Sequence, residues 1–500
     1  MCTQKIIFLV ILMLGPSLAQ AGKLELASPF TEHMVLQRGM EVPIWGWGTP
    51  NSKVLVSING KSSLTKVGRD GKWRTKLPEL KAGGPYKFSV KSDKESISFS
   101  DVLIGEVWLC SGQSNMKMEL TKAHNGDKML PEMKKRPIRS LAVKRVISLK
   151  KEERFEGKWV TTPCSSAVGA FFAYHLQLEI DVPVGIIESC WGSASIEGYM
   201  PEEFANKLPH FKKELDLMKK FDAKHVTAQL EKEAAGKKRT KRMDIFFRTR
   251  VNGIYNAMIH PIAPYAMRGM VWYQGEANAM GALGSIRQYG ESIVLWCEYL
   301  RQLWKRDDFQ FYAVMLPRYR QNNWAWMRES QQKVLTLPNT AMANTIDCGN
   351  LKIIHPGDKE PIGKRLALLA QANIHKMKVE AQGPTFKKVV KEGSKSLRVY
   401  FSHAQVLSTT NDQPPTGFWL AGKDMVWKSA TAKIEKGTVV LSWNEKQAPT
   451  FVRYAFAGFP EVNLINKAKL PAFPFRTDSY FPKEYSKPHE PSETSRYRIK

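Results

Sequence analysis

The 500-residue sequence is poor in cysteine and in acidic residues, and it contains no long apolar run. Its six cysteines show no paired short spacing, which excludes a zinc cluster and a disulfide-dense scaffold. Since no apolar stretch reaches the ~20 residues that span a bilayer, we expect no membrane anchor. Asp and Glu number 47 against 75 Lys and Arg, so the net charge is +28 and an anionic partner is expected.

The basic residues are scattered along the chain, with short runs only at 134–136 and 237–239. No zinc-finger, basic-zipper or RNA-binding aromatic pattern accompanies them, so no nucleic-acid partner is predicted. No grouping of His, Asp, Glu or Cys has the spacing of a catalytic zinc site such as His-Glu-x-x-His. We therefore expect neither a metal nor another cofactor.

Residues 1–21 have the three parts of a secretory signal peptide. Lys5 supplies the charged start, residues 6–14 form a short apolar core, and Ala19-Gln20-Ala21 is a small-residue cleavage site. The mature chain is therefore expected to be exported, to a periplasm, an enclosed lumen or the medium. Five cysteines remain, for which we predict buried thiols and leave one disulfide open. They are Cys110, Cys164, Cys190, Cys297 and Cys348.

Composition divides the mature chain into three zones. Short strands separated by turns such as Asn59-Gly60 predict a β-domain at the start, and short strands return at the end. Between them, apolar strand-like runs alternate with helical stretches, which predicts an α/β domain with a parallel sheet. A charged segment with apolar residues at helical spacing predicts a helical insertion. The predicted boundaries are 22–104 for the N-terminal β-domain, 105–377 for the α/β domain, 202–245 for its insertion, 378–480 for the C-terminal β-domain and 481–500 for a polar tail.

A serine follows the first apolar strand of the predicted α/β domain. The strand at 107–110 runs through Gly112 to Ser114, which stands at an expected helix start. In an open α/β sheet, ligands bind beyond the carboxyl ends of the strands. At such a helix start a hydroxyl faces the cleft, and free backbone N–H groups can hold an oxyanion. The pattern equally fits a serine that only caps the helix.

Five sequence blocks, in order along the chain, carry a resemblance to a known family. The blocks are Gly112-Gln113-Ser114-Asn115-Met116, Trp191-Gly192-Ser193-Ala194-Ser195, Gly269 to Ala279, Ile354-His355-Pro356 with Lys359 and Gly363 to Ala367, and Val452-Arg453-Tyr454 with Leu470 to Arg476. Together they resemble the sialate O-acetylesterase family of SGNH hydrolases, which is related to carbohydrate esterases acting on acetylated xylan. The resemblance implies an α/β, flavodoxin-like three-layer SGNH domain with a parallel sheet, flanked by N-terminal and C-terminal β-rich domains.

The resemblance also implies an acyl-transfer reaction on acetylated sugars. Ser114 would attack the acetyl carbonyl, and His355 would take its proton and return it to the sugar leaving group. Water would then release acetate from the acetyl-serine intermediate. Backbone N–H groups and a side-chain amide would stabilise the oxyanion. Beside the N–H of Ser114 itself, the candidates are the N–H groups of Gly192 and Ser193 and the amides of Gln274 and Asn278.

The third member of the catalytic triad departs from the family pattern. Related enzymes often carry an aspartate two or three residues before the histidine, where this chain has Ile353 and Lys352. Neither side chain can accept the imidazole proton. We favour Glu276, from the Gln-Gly-Glu block, as the orienting acid and keep Asp347 as the alternative. A serine–histidine dyad without an acid is the remaining possibility.

These observations predict a carbohydrate O-acetylesterase similar to sialate 9-O-acetylesterases, whose substrate is an O-acetylated sugar. The alternatives are an acetylxylan or other polysaccharide deacetylase with the same mechanism, and a non-catalytic carbohydrate-binding protein on an inactivated esterase fold. The positive charge favours an acidic glycan as substrate, through electrostatic steering. The sequence leaves the oligomeric state open.

Overall fold

A computed structural model describes residues 22–93, 95–218, 248, 252–281 and 284–487 of the chain. The predicted signal peptide lies outside these ranges, as do residues 219–245 of the predicted insertion and residues 488–500. The described start of the insertion is helical, with a 3₁₀ turn at Glu202–Asn206 and an α-helix at Pro209–Met218.

The N-terminal strands form where apolar and polar residues alternate, since successive side chains of a strand point to opposite faces. In Lys72–Leu77, for example, Trp73, Thr75 and Leu77 are buried while the lysines and Arg74 are exposed. The predicted turn at Asn59-Gly60 joins two paired strands, and both of its residues have positive φ. The strands are β1 (Glu25–Leu26), β2 (Val35–Gln37), β3 (Val42–Trp47), β4 (Lys53–Ile58), β5 (Lys61–Lys66), β6 (Lys72–Leu77) and β7 (Gly83–Ser92).

One long strand, β8 (Glu95–Gly112), continues from these strands into the central sheet. Its first half pairs antiparallel with β7, and its second half pairs parallel with strands on both sides. The predicted boundary at 104/105 therefore falls inside a continuous strand. The sheet as a whole is mixed, because it contains antiparallel as well as parallel pairs.

The central sheet has the strand order β10-β9-β11-β8-β12-β13-β14. The strands added here are β9 (Ile138–Ala142), β10 (Trp159–Val160), β11 (Val184–Cys190), β12 (Gly269–Tyr273), β13 (Gln310–Val314) and β14 (Thr340–Ala343). All neighbours in this order are parallel except β10 and β9. After β8 the chain first builds strands on one side of it and then on the other, so the loop after β8 lies where the order reverses. Such a reversal is the usual ligand site of an open α/β sheet.

Helices connect the parallel strands. The α-helices are α1 (Ser114–Lys117), α2 (Gly126–Lys134), α3 (Ala167–Ile180), α4 (Pro209–Met218), α5 (Glu276–Ala279), α6 (Ile286–Trp304), α7 (Trp324–Gln332) and α8 (Glu360–Asn373). Short 3₁₀ helices lie at Leu120–Lys122, Ile196–Tyr199, Glu202–Asn206, His260–Ile262, Lys333–Thr336 and Lys483–Tyr485, and a π-helical turn lies at Tyr255–Ile259. Within the described ranges, no helix is long and apolar enough to cross a membrane.

The C-terminal strands are short and antiparallel. They are β15 (Thr385–Lys391), β16 (Ser396–Ser402), β17 (Leu407–Thr409), β18 (Phe418–Ala421), β19 (Lys428–Ser429), β20 (Thr431–Glu435), β21 (Thr438–Ser442), β22 (Phe451–Tyr454), β23 (Leu464–Asn466) and β24 (Phe475–Arg476). They enclose a second core, to which Ile346 from the loop after β14 also contributes, whereas the N-terminal strands share one continuous core with the central sheet.

The five cysteines of the described chain are all buried free thiols. The disulfide that the sequence left open is therefore not formed. Burial raises the pKa of each thiol, so the thiolate form is disfavoured and none of these side chains is poised as a nucleophile.

Candidate active site

Ser114 lies at the end of β8, where the strand turns into the short helix α1. The turn requires glycine at position 112, because its φ is +131° and a Cβ there would clash with the carbonyl oxygen of Tyr273. Gln113 follows with an N–H bonded to that same carbonyl. Ser114 is the first residue of the helix, with Gln113 at the N-cap position, and the hydrogen bonds of its hydroxyl are to Gln113 and His355. The helix-cap alternative therefore does not describe its contacts.

His355 brings its imidazole to this serine from the loop between β14 and α8. Its Nε2 lies 2.7 Å from the Oγ of Ser114, although the two residues are 241 positions apart in the chain. Burial, and then the nearby charge of Lys359, lowers the pKa of His355 from its ordinary value of 6.5. The neutral imidazole is thus favoured at neutral pH, as a general base requires.

Gly192 lies directly against the serine, in the loop after β11. A Cβ built on Gly192 would be 3.6 Å from the Cβ of Ser114. The loop is fixed at both sides, since the N–H of Trp191 bonds to the carbonyl of Gly112 at 3.0 Å and Arg248 donates to the carbonyl of Gly192. Ser193 follows with a φ of 62°. Of the predicted oxyanion residues, Gly192 therefore lies next to Ser114, and Ser193 follows it in the same loop.

The other two oxyanion candidates direct their amides elsewhere. Gln274 donates through Nε2 to the side chain of Gln113 and to the carbonyl of Ala194, both at 3.1 Å. Asn278 accepts from the N–H of Ile196 at 3.1 Å and donates to the carboxylate of Glu197. These amides hold the segment that follows Gly192, which is a different task from the one predicted.

The two candidate acids do not contact His355. Glu276 is fully buried in α5 and accepts a hydrogen bond from Nδ2 of Asn115. Asp347 forms a two-pronged ion pair with Arg365, at 2.6 and 2.7 Å. Within the described residues, His355 has no hydrogen bond or ion pair to a carboxylate. The predicted direct contact of Glu276 or Asp347 with the imidazole therefore has no counterpart here, because each carboxylate has a closer partner.

Comparison with known proteins identifies the family. The model of the carbohydrate esterase family of sialic acid-specific acetylesterases matches residues 104–369, a range that includes all the site residues described in the paragraphs above. The sialate O-acetylesterase of Mus musculus is 28% identical over 412 residues, covering 73% of this chain and 76% of that protein. That of Homo sapiens is 27% identical over 438 residues, covering 77% and 78%. The crystal structure of a carbohydrate acetylesterase from Xanthomonas citri has a TM-score of 0.78 at 31% identity and covers 91% of this chain and 100% of its own.

The family match spans more than half of the chain, and the Xanthomonas citri structure extends across most of the remainder. The chain belongs to this carbohydrate esterase family. It is a carboxylic ester hydrolase similar to sialate O-acetylesterases, which confirms the resemblance read from the sequence blocks.

Sequence reasoning missed one residue of the esterase site, Gln113. Its Nε2 lies 3.4 Å from the Oγ of Ser114. Its Oε1 accepts from Nε2 of Gln274 and from the N–H of Ala277, both at 3.1 Å. Because those two donors take the amide oxygen, the NH₂ group is turned towards the serine. A side-chain amide is thus available beside Ser114, on the residue just before it. The position of Gln113 inside the Gly-Gln-Ser-Asn block was the available signal.

The described part of the esterase contains no group of three or more His, Cys, Asp or Glu side chains arranged to hold a metal ion. The site itself is open to solvent: Ser114 is half-buried and Ser193 is exposed. His355 also keeps part of its surface in solvent, although its neighbours remove enough water from the ring to lower its pKa. An open site can receive an acetyl group carried on a large glycan.

Proposed function

We propose that the esterase is an exported enzyme that removes O-acetyl groups from sialic acids, the 9-O-acetyl group among them, through an acetyl-serine intermediate. The observation that carries this proposal is the 2.7 Å distance between the Oγ of Ser114 and Nε2 of His355. Names of the curated relatives point to the same substrate class. The proposed frame for this chemistry is the three-layer SGNH-type domain.

In the proposed reaction, Ser114 attacks the acetyl carbonyl as His355 accepts the hydroxyl proton. The negative charge on the carbonyl oxygen is stabilised by N–H groups of Ser114 and Gly192 and by the amide of Gln113. The attack forms a tetrahedral intermediate. Its collapse breaks the bond between the acetyl carbon and the sugar oxygen, and the imidazolium returns the proton to that oxygen. Water, activated by the same imidazole, then hydrolyses the acetyl-serine to acetate.

Positive charge at the site favours an acidic sugar as substrate. The guanidinium of Arg248 is bonded to the carbonyl of Gly192, the residue that lies against Ser114. The whole chain carries a net charge of +28. A cleft with positive charges raises the local concentration of anionic substrates. A sialic acid provides such a charge through its carboxylate.

The test is a comparison of acetate release from O-acetylated sialic acid and from acetylated xylan, at matched enzyme concentration. We expect the larger kcat/KM for the sialic acid, with the difference shrinking as salt screens the charges. A preference for xylan would favour the second candidate, an acetylxylan or other polysaccharide deacetylase with the same mechanism. The Xanthomonas citri relative leaves room for that candidate, because it is described only as a carbohydrate acetylesterase. If the wild-type enzyme released acetate from neither substrate, the proposal would be overturned.

Chelation is expected to leave the activity unchanged. The proposed steps use a serine, an imidazole and N–H donors, and none needs a Lewis acid. The measurement is acetate release after dialysis against EDTA, compared with a mock-dialysed sample. Loss of activity on chelation that is restored by added zinc would contradict the proposed mechanism.

A further inference from the structure

A buried cluster of two opposite charges and one amide lies behind the catalytic pair. Its members are Lys359, Asn115 and Glu276, none of which exposes more than 1% of its surface. Burying ionised groups is costly unless they are paired or hydrogen-bonded. In the described chain, however, no carboxylate lies within ion-pairing distance of the ammonium of Lys359. The amide of Asn115 is inserted between the two charges instead.

The hydrogen bonds of the cluster fix the orientation of that amide. The ammonium of Lys359 donates to Oδ1 of Asn115 at 2.6 Å, and Nδ2 of Asn115 donates to Oε1 of Glu276. An ammonium can only donate and a carboxylate can only accept, so the amide cannot be turned around without losing both bonds. Hydrogen bonds to ionised partners are also stronger than neutral ones. The two charges therefore hold one amide in one orientation.

The remaining bond of Asn115 leads to the catalytic histidine. Nδ2 also donates to the carbonyl of Ile354 at 3.0 Å. Ile354 immediately precedes His355, and Asn115 immediately follows Ser114. One amide thus connects the backbone beside the nucleophile to the backbone beside the base. This connection matters because no carboxylate touches the imidazole in the described structure.

We propose that Lys359 and Glu276 position His355 through Asn115 and the carbonyl of Ile354, in place of an acid bonded to the imidazole. The inference rests on the proposed serine mechanism. It gives Glu276 a positioning role at a distance from the ring, instead of the direct contact predicted from the sequence. It also gives a role to Asn115 and Lys359, which the mechanism above does not use.

The charge of Lys359 acts on the same histidine. Burial lowers the pKa of Lys359 to about 8, while Glu276, Cys348 and Asp358 are the ionisable groups that oppose this effect. The positive charge in turn contributes to the lowered pKa of His355, after burial. Removing it should therefore raise the pKa of the imidazole.

The decisive variant exchanges the acid and the amide, as Asn115→Asp together with Glu276→Gln. The exchange keeps one negative charge beside Lys359. The amide introduced at position 276 can donate to the carboxylate introduced at position 115, so the bonds among the three side chains are preserved in reverse. What is lost is the N–H that Asn115 donates to the carbonyl of Ile354. The readout is kcat/KM for p-nitrophenyl acetate, normalised to the serine titrated by a phosphonate after labelling is complete.

We expect the exchanged variant to melt close to the wild type while its normalised kcat/KM falls about 10²-fold, the effect of a small misplacement of a catalytic group. Wild-type kcat/KM in that variant would overturn the proposal.

Lys359→Met gives an independent readout: the acidic limb of its kcat/KM profile should move to higher pH, because the imidazole pKa rises. An unmoved limb would also overturn the proposal, since a merely structural lysine leaves the histidine unchanged.

Glu106→Gln is the matched control. Glu106 is likewise a fully buried carboxylate, but it lies where β8 enters the central sheet, at the end of that pairing away from Ser114. It forms ion pairs with Arg38 at 2.7 Å and with Arg268 at 2.9 Å. Its loss should lower the melting temperature and leave the normalised kcat/KM unchanged. A wild type that neither hydrolyses the aryl ester nor reacts with the phosphonate would overturn the proposed function and this inference together. Full wild-type activity with an equally active exchanged variant would overturn the inference alone.

Discussion

Replacing Ser114 by alanine is expected to reduce acetate release by at least ~10⁴-fold, the order of loss seen when a nucleophilic serine is removed. The variant keeps the backbone N–H groups but has no oxygen to form the acetyl ester. Its fold should be unchanged, because the hydrogen bonds of the Ser114 hydroxyl are to the side chains of His355 and Gln113 and not to the helix backbone. The measurements are acetate release from acetylated sialic acid and incorporation of a serine-directed phosphonate, both of which should be lost.

Ser285→Ala is the matched control for this experiment. Ser285 stands before α6 and does cap it, accepting from the N–H of Gln288 at 3.2 Å. Its replacement should cost about 1 kcal/mol of unfolding free energy and leave turnover intact. If Ser114→Ala retained activity, the serine mechanism would be wrong. A wild type that released no acetate would instead support the non-catalytic carbohydrate-binding alternative.

The place of Ser114 in the fold could be predicted from the sequence because its local constraints are strong, whereas its proposed role came from the resemblance. An apolar run that leads into Gly112 indicates a strand followed by a tight turn. The packing of β8 against Tyr273 then explains why that glycine is required. The partner of Ser114 is a different matter. His355 is one of ten histidines, and only the resemblance to a family of esterases selected it.

The contacts of Glu276, Gln274 and Asn278 could not be predicted in this way. Each side chain can bond to several partners, and the choice among them depends on distances between loops that are far apart in sequence. Glu276 bonds to a residue 161 positions away. The partner of a carboxylate is the donor that the folded backbone brings within hydrogen-bond distance, which for Glu276 is the amide of Asn115. The sequence block from Gly269 to Ala279 identified a region of the site. It carried no information about which hydrogen-bonding partner each of its side chains contacts.

The position of the first predicted boundary illustrates a second limit. Composition changes near residue 104, from strands with alternating polar residues to a continuous apolar run. The structure shows the same strand on both sides of that position, Glu95–Gly112. Alternating apolar and polar residues indicate that one face of a strand is exposed to water. A continuous apolar run indicates that both faces are covered by other parts of the protein. A change in pattern therefore marks a change in what covers the strand, and the backbone can continue through it.

Replacing His355 by alanine is the second change for which we expect a very large effect, a loss of kcat/KM of at least ~10⁴-fold. Without the imidazole, no base accepts the proton of Ser114 and no acid protonates the leaving sugar. Because His355 is exposed, added imidazole should enter the vacated space and restore part of the activity. His124→Ala is the control, since His124 is an exposed neighbour whose ring bonds to Asp358 at 3.1 Å and not to the serine.

The pH dependence of the wild type tests the same assignment from another side. A general base works only when unprotonated, so kcat/KM should rise with pH through the pKa of His355 in the free enzyme. Burial and the charge of Lys359 lower that pKa from 6.5, so the midpoint of the rise should lie below 6.5 and activity should persist in mildly acidic solution. Partial rescue of His355→Ala by imidazole should then follow the titration of free imidazole, with its midpoint at higher pH than in the wild type. A wild-type midpoint above 6.5, or an alanine variant that retains the wild-type profile, would assign the base to another residue.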